Sequence, residues 1–207
     1  MSADRSVIIG WLSDLAAELV TDALDRRDVD RRLDAAAGAD AESFASEALA
    51  LMRVVAESVD APAGFDRIAA PAVADQETGD AVAILLALGL AVAGVKVDWP
   101  SRPSARAARS RIALSGDAGL SAASRMGGEG ADLYAWLSSV VSASVRVVSE
   151  IAANAVPVVR VQTKISLPST ALAYQLYGDA NRAQGLVEIA GSATPLLMPS
   201  AFDALAS

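Results

Sequence analysis

Arg102, Arg106 and Arg109 have the spacing most suggestive of a binding device in this chain. At i, i+4 and i+7 they share one helix face, and such a stripe either meets a phosphate or an acidic partner or forms an ordinary solvated surface. Other chemistry is limited by what the chain lacks. With no His and no Cys among 207 residues, the commonest general base, the thiolate nucleophile and the usual soft metal ligands are missing, leaving only carboxylate, Lys or Ser chemistry. The formal net charge is −8, which disfavours nonspecific attraction to a phosphate backbone. It is also uneven: residues 1–98 hold 8 basic and 18 acidic side chains, against 9 and 7 in residues 99–207. The expectation is a protein that is not an enzyme, uses no cofactor or metal and binds DNA poorly.

The elements that must position these residues read as helices. Apolar residues make up 53% of the chain but aromatic ones only 4%, so a core of Ala, Val and Leu is expected, which suits close-packed helices. Ser6 is placed to cap a first helix with Ile8, Leu12, Leu15, Leu19 and Ala23 on one face. The charge-dense run from Asp25 to Asp34 suits i,i+3 and i,i+4 pairs on a solvated helix. Gly38 and Asp40 precede a third helix, Ala41 to Val59, with Phe44, Ala48, Leu51, Val55 and Val59 inward. Residues 60–79, containing Pro62, Gly64, Pro71 and Gly79, read as a linker or extended arm.

Ala81 to Val95 holds fifteen uncharged residues, short of the about 20 that span a bilayer, and reads as a helix buried among helices, with Gly89 and Ala93 allowing close approach. No stable membrane span is expected, and the first residues lack the pattern of a secretion signal. After a turn at 98–103, a helix is expected from Ser104 to Leu114, a break at Gly116 and Gly119, and a turn at Gly127, Gly128 and Gly130. Ala131 to Asn154 is the cleanest helix. Its stripe of Leu133, Leu137, Val140, Ser144, Val147 and Ile151 has heptad spacing, suited to a bundle helix or to a seam between subunits. A short strand fits Val158 to Val161.

The last segment, Leu167 to Pro199, carries the densest set of landmarks. Pro168 suits a first helical turn, Gly178 a left-handed stop and Asp179 the cap of the next helix. Tyr174 and Tyr177 suit aromatic anchors between the two helices, and Pro195 and Pro199 bracket a closing apolar strand at Leu196-Leu197-Met198.

This order, with Ser101-Arg102, a long helix, Leu167-Pro168, Leu176-Tyr177-Gly178-Asp179 and Arg182, resembles the C-terminal part of the phage Mu-type DNA circularisation proteins, which are tail components of contractile-tailed phages and prophages. More distantly, it is similar to tail protein X and the LysM fold, in which two short helices lie between two strands. The resemblance covers about residues 99–199. It departs from the family at Ala190, where Asn is usual, and lacks a β-rich N-terminal domain.

Taken together, the expected fold is mainly α: a helical bundle in residues 1–156, followed by a small LysM-like βααβ module in residues 157–207. The resemblance implies a structural subunit of a contractile tail, a baseplate hub adaptor whose partners are tube, hub and tape-measure proteins. It also implies an oligomer around the tail axis, located in the virion after assembly in the host cytoplasm. A peptidoglycan-binding LysM-type module and a DNA circularisation factor are the alternatives. Candidate interaction residues are Pro168, Tyr174, Tyr177, Gly178, Asp179, Arg182, Pro195 and Pro199, with Arg102, Arg106 and Arg109.

Overall fold

The computed structural model describes residues 3–206. The chain is mainly helical, with α1 Arg5–Leu19, α2 Ala23–Ala37, α3 Ala41–Glu57, α4 Pro62–Arg67, α5 Gln76–Lys96, α6 Arg102–Arg125 and α7 Ala131–Asn154. There follow β1 Val158–Gln162, α8 Ser169–Tyr177, a 3-10 turn Ala180–Arg182, α9 Ala183–Ala190 and β2 Ala201–Leu205. It forms two compact units, one of Met1–Trp99 with Arg106–Ile151, the other of Pro100–Ala105 with Ala152–Ser207.

In the first unit, capping decides where helices begin. Asp4, Asp22, Asp40 and Asp75 stand at the N-caps of α1, α2, α3 and α5, each accepting backbone N–H bonds from the first turn, where the helix leaves donors unpaired. Ser6 was the expected cap of α1. Instead its N–H and hydroxyl both donate to Asp4 Oδ1, at 2.9 and 2.7 Å, because Asp4 lies two residues earlier in the extended conformation a cap requires. Ala23 belongs to α2, not to the α1 stripe. The charged run lies on α2 as expected: Asp28 pairs with Arg31 and Arg32, and Arg32 also reaches Glu47 at 2.6 Å.

Residues 60–79 are not a linker. They contain α4, and Phe65 and Ile68 are buried to 1% and 0% exposure, each such burial contributing about 2 kcal/mol. Trp11 Nε1 donates to Ala69 O at 2.9 Å. Arg111 donates to the carbonyls of Phe65 and Ile68 at 3.1 and 2.5 Å and lies over the Phe65 ring, so a cation covers the carbonyl end of α4. The Trp99 ring meets that of Phe65 edge-on at 5.1 Å.

α5 is apolar on every side, as suits a helix surrounded by others. It starts five residues before the expected Ala81, where Asp75 caps it. Thr78 in its first turn is fully buried; its hydroxyl accepts the Asp4 N–H at 2.7 Å, while its own N–H donates to Asp75 at 2.8 Å. The close backbone approach expected at Gly89 and Ala93 occurs one face away. A Cβ on Gly119 of α6 would lie 3.0 Å from Ala83 O and 2.7 Å from Ala87 Cβ, whereas Gly89 faces the Met52 side chain. α6 therefore runs straight through the expected break: Gly116 makes room for Val141, and Gly119 for α5.

α7 has the bounds expected of it, but its inward face is shifted. Leu137, Val141, Ser144, Val148 and Ala152 are buried, while Val147 is 37% exposed. Ser144 donates to Ala91 O at 2.7 Å, fixing the rotation of the helix. Both α5 and the stretch Gly127–Asn154 are long and apolar enough to cross a membrane, with 61% and 28% of their apolar windows buried. α7 thus leaves far more of its apolar surface uncovered.

Candidate interaction site in the C-terminal unit

The second unit is built on a two-stranded antiparallel sheet. β1 pairs with β2 in the register Val158↔Leu205 through Gln162↔Ala201. The closing strand lies at Ala201–Leu205, not at Leu196–Met198. The reason is local: Pro195 and Pro199 offer no N–H to a ladder, whereas Ala-Phe-Asp-Ala-Leu alternates, with Phe202 and Ala204 buried and its other three residues partly exposed. Leu196 and Leu197 are 72% and 65% exposed, and of the three only Met198 enters the core. That core joins Leu172 and Ala173 of α8, Leu186 of α9, Met198, Phe202 and Ala204, with Ala190 packed at its margin.

The unit extends beyond residues 157–207. Arg102 donates its backbone N–H to Val156 O at 3.0 Å and its Nη2 to Ala153 O at 3.2 Å. Ala206 N donates to Pro157 O at 2.9 Å. These bonds draw the start of α6 and the end of α7 into the same body. Arg102 is consequently half-buried and bound to backbone, with Nε buried and unpaired, while Arg106 and Arg109 are exposed. The three guanidinium groups do not form one open stripe.

Around the Tyr-Gly-Asp pivot, each residue has a defined task. Gly178 closes α8 in the left-handed conformation at φ 71°, its N–H donating to Tyr174 O, a geometry that favours glycine. Asp179 caps the 3-10 turn that leads into α9, accepting from Asn181 N at 2.9 Å. Tyr177 is half-buried; its hydroxyl accepts the Leu205 N–H at 3.0 Å, and Arg182 lies over its ring at 3.9 Å. Tyr177 thus joins α8 to β2 and to the turn before α9. Tyr174 does not anchor the helices: it is 66% exposed, because it shares with Thr170, four residues earlier and also exposed, the face of α8 turned away from the buried Leu172 and Ala173.

Pro168 stands one position before the helix, as N-cap of α8 and not within its first turn. It has no side-chain oxygen to cap with, and the Ser169 N–H instead donates to Pro195 O at 2.7 Å. Met198 N donates to Leu167 O at 3.0 Å and Thr163 N to Ser200 O at 2.7 Å. Pro195 and Pro199 therefore flank a segment tied by backbone bonds to the entry of α8.

Sequence reasoning passed over Arg160 and Asp203, which face each other across the sheet and pair at 3.0 Å, and over Leu205. The alternation of residues 201–205 is the signal that identifies them. The arrangement presents the exposed apolar side chains Tyr174, Leu196 and Leu197 on a frame with its own small core. No protein-family model matches the chain, and no curated protein sequence matches it.

Proposed function

We propose that this chain is a non-enzymatic structural subunit of a contractile phage tail, acting at the baseplate as an adaptor between tube or tape measure and the central hub. The observation that carries the reading is the C-terminal order of strand, helix, 3-10 turn, helix and strand, with β1 and β2 paired antiparallel. We read that order as a LysM-like module, hinged at Tyr177-Gly178-Asp179, the segment that resembles the circularisation proteins. In this reading the module docks on a neighbouring baseplate protein through exposed Tyr174, Leu196 and Leu197, apolar surface of the kind that marks interaction sites. The helical unit packs on the adjoining ring as one of several copies around the tail axis. DNA binding, a cofactor and a membrane span play no part, and the location is the virion.

The test is composition. Mass spectrometry of purified tails or particles should find the chain in stoichiometric amount, with symmetric density near the baseplate. Its absence from purified particles rules the reading out.

A further inference from the structure

The first unit contains a long open groove floored by α5. One stretch, about 600 Å³, is lined by Phe44, Leu49, Ile84, Leu85 and Leu133, with the Asp80–Arg125 pair at its border. It continues into a second of about 370 Å³ lined by Leu49, Ala50, Leu88, Leu133 and Trp136. Leu49 and Leu133 belong to both, so the groove runs between α3 and α7 with the apolar α5 beneath it. Its floor is closed, since Ile84, Leu85 and Leu88 of α5 are only 7%, 4% and 3% exposed; the apolar surface still open belongs to the walls, at Leu49, Leu133 and Trp136.

α7 borders the same groove with an apolar flank of its own. Leu133, Trp136, Val140, Ala143 and Val147 recur by three and four residues, the spacing of a coiled-coil seam. Trp136 is 43% and Val147 37% exposed, Ala143 is exposed, and Leu133 and Val140 are half-buried. Beside this flank lies a second row, Asp132, Ser139 and Arg146, spaced by seven and all exposed. The row has the charge pattern of a helix that pairs with itself in reverse. Turned about Ser139, an antiparallel copy sets Asp132 opposite Arg146 at both ends. The same register sets Trp136 against Val140 and Leu133 against the small Ala143. A parallel copy would set Asp132 against Asp132 and Arg146 against Arg146.

We propose that α7 is the contact between two copies of this chain, paired antiparallel about a two-fold axis near Ser139, each α7 bordering the groove of the other copy. The interface is isologous, so one patch supplies both sides. It stands independently of the tail reading.

Sedimentation equilibrium on the full chain should show a dimer at tens of micromolar. Trp136→Glu and Arg146→Asp should each weaken it by roughly tenfold or more, with far-ultraviolet circular dichroism reporting that the fold is kept. An equimolar mixture of Asp132→Arg and Arg146→Asp should pair better than either alone. Since the chain has no native Cys, single cysteines read the register without disturbing the core. Ser139→Cys should cross-link two copies on oxidation. Glu150→Cys should not, because an antiparallel pair holds those positions about 33 Å apart along the helix. A monomeric wild type at these concentrations, a dimer in which Ser139→Cys fails to cross-link, or equal cross-linking at both positions overturns the proposal.

Discussion

The guanidinium of Arg182 sits 3.9 Å from the centroid of the Tyr177 ring, across the left-handed turn at Gly178. The same ring carries the hydroxyl that accepts the Leu205 N–H, so one side chain serves two distinct interactions. Tyr177→Phe keeps the cation–ring contact and removes only the hydroxyl, at an expected cost of about 1 kcal/mol. Arg182→Ala removes the cation, at about 0.5–1 kcal/mol. Denaturant titration of each variant, and of the pair, checks both values. If Tyr177→Phe matched wild type, the β2 bond would have no measurable weight.

Gly178 should be the least replaceable residue of the pivot. A Cβ there meets nothing within 4 Å, so the penalty is conformational only. Gly178→Ala should cost about 1–2 kcal/mol, and Gly178→Asn less, since Asn tolerates the left-handed region better. The ranking of melting temperatures, glycine above Asn above Ala, is the test.

Two helical glycines should respond with opposite signs. Gly10 in α1 has open space around its missing Cβ, and Gly10→Ala should stabilise by about 0.5–1 kcal/mol through helix propensity. Gly119→Ala gains the same propensity but drives a methyl against the backbone and Ala87 of α5, where overpacking costs about 1–3 kcal/mol. The net effect at Gly119 should be destabilising. Thermal melts of the two variants decide it.

Acid should unlock the helix starts. Hydrogen bonds from Ser43 hold the Asp40 carboxyl below its ordinary range, those from Thr78 do so for Asp75, and Arg125 does so for Asp80. A carboxylate with a folded pKa below its unfolded value of about 3.9 contributes fully above that value and loses its contribution as pH falls through the folded pKa. Stability should therefore be flat from neutrality to about pH 5 and fall below about pH 4. The fall should be shallower in Asp40→Asn/Asp75→Asn, which keeps an acceptor that does not titrate. Urea midpoints across the pH series measure this; equal slopes for both proteins would refute it.

How far the sequence foretold the fold depended on whether a signal was local. α7 was legible to the residue because it lies between a glycine-rich turn and Pro157, and the left-handed stop at Gly178 followed from glycine chemistry alone. α4 was hidden because Pro62 and Gly64 read as loop residues, while the groups that fix the segment, Trp11 and Arg111, lie 58 and 43 residues away from the carbonyls they reach. Gly116 and Gly119 read as a break for the same reason, since their partners Val141, Ala83 and Ala87 lie on other helices. At the C-terminal unit, proline bracketing drew attention to Leu196–Met198, while the plain alternation of residues 201–205 held the strand. The arginine stripe dissolved because backbone carbonyls of residues 153 and 156 claim Arg102, which helical spacing alone does not reveal.

The buried hydroxyl of Thr78 has a dynamic consequence. It joins the backbone at the start of α1 to the first turn of α5, 74 residues later in the chain. Fraying at the amino end of α1 must uncover a polar group at the start of the most apolar helix, so the two ends open together or not at all. Amide hydrogen exchange at Asp4 should for that reason be as slow as in the core.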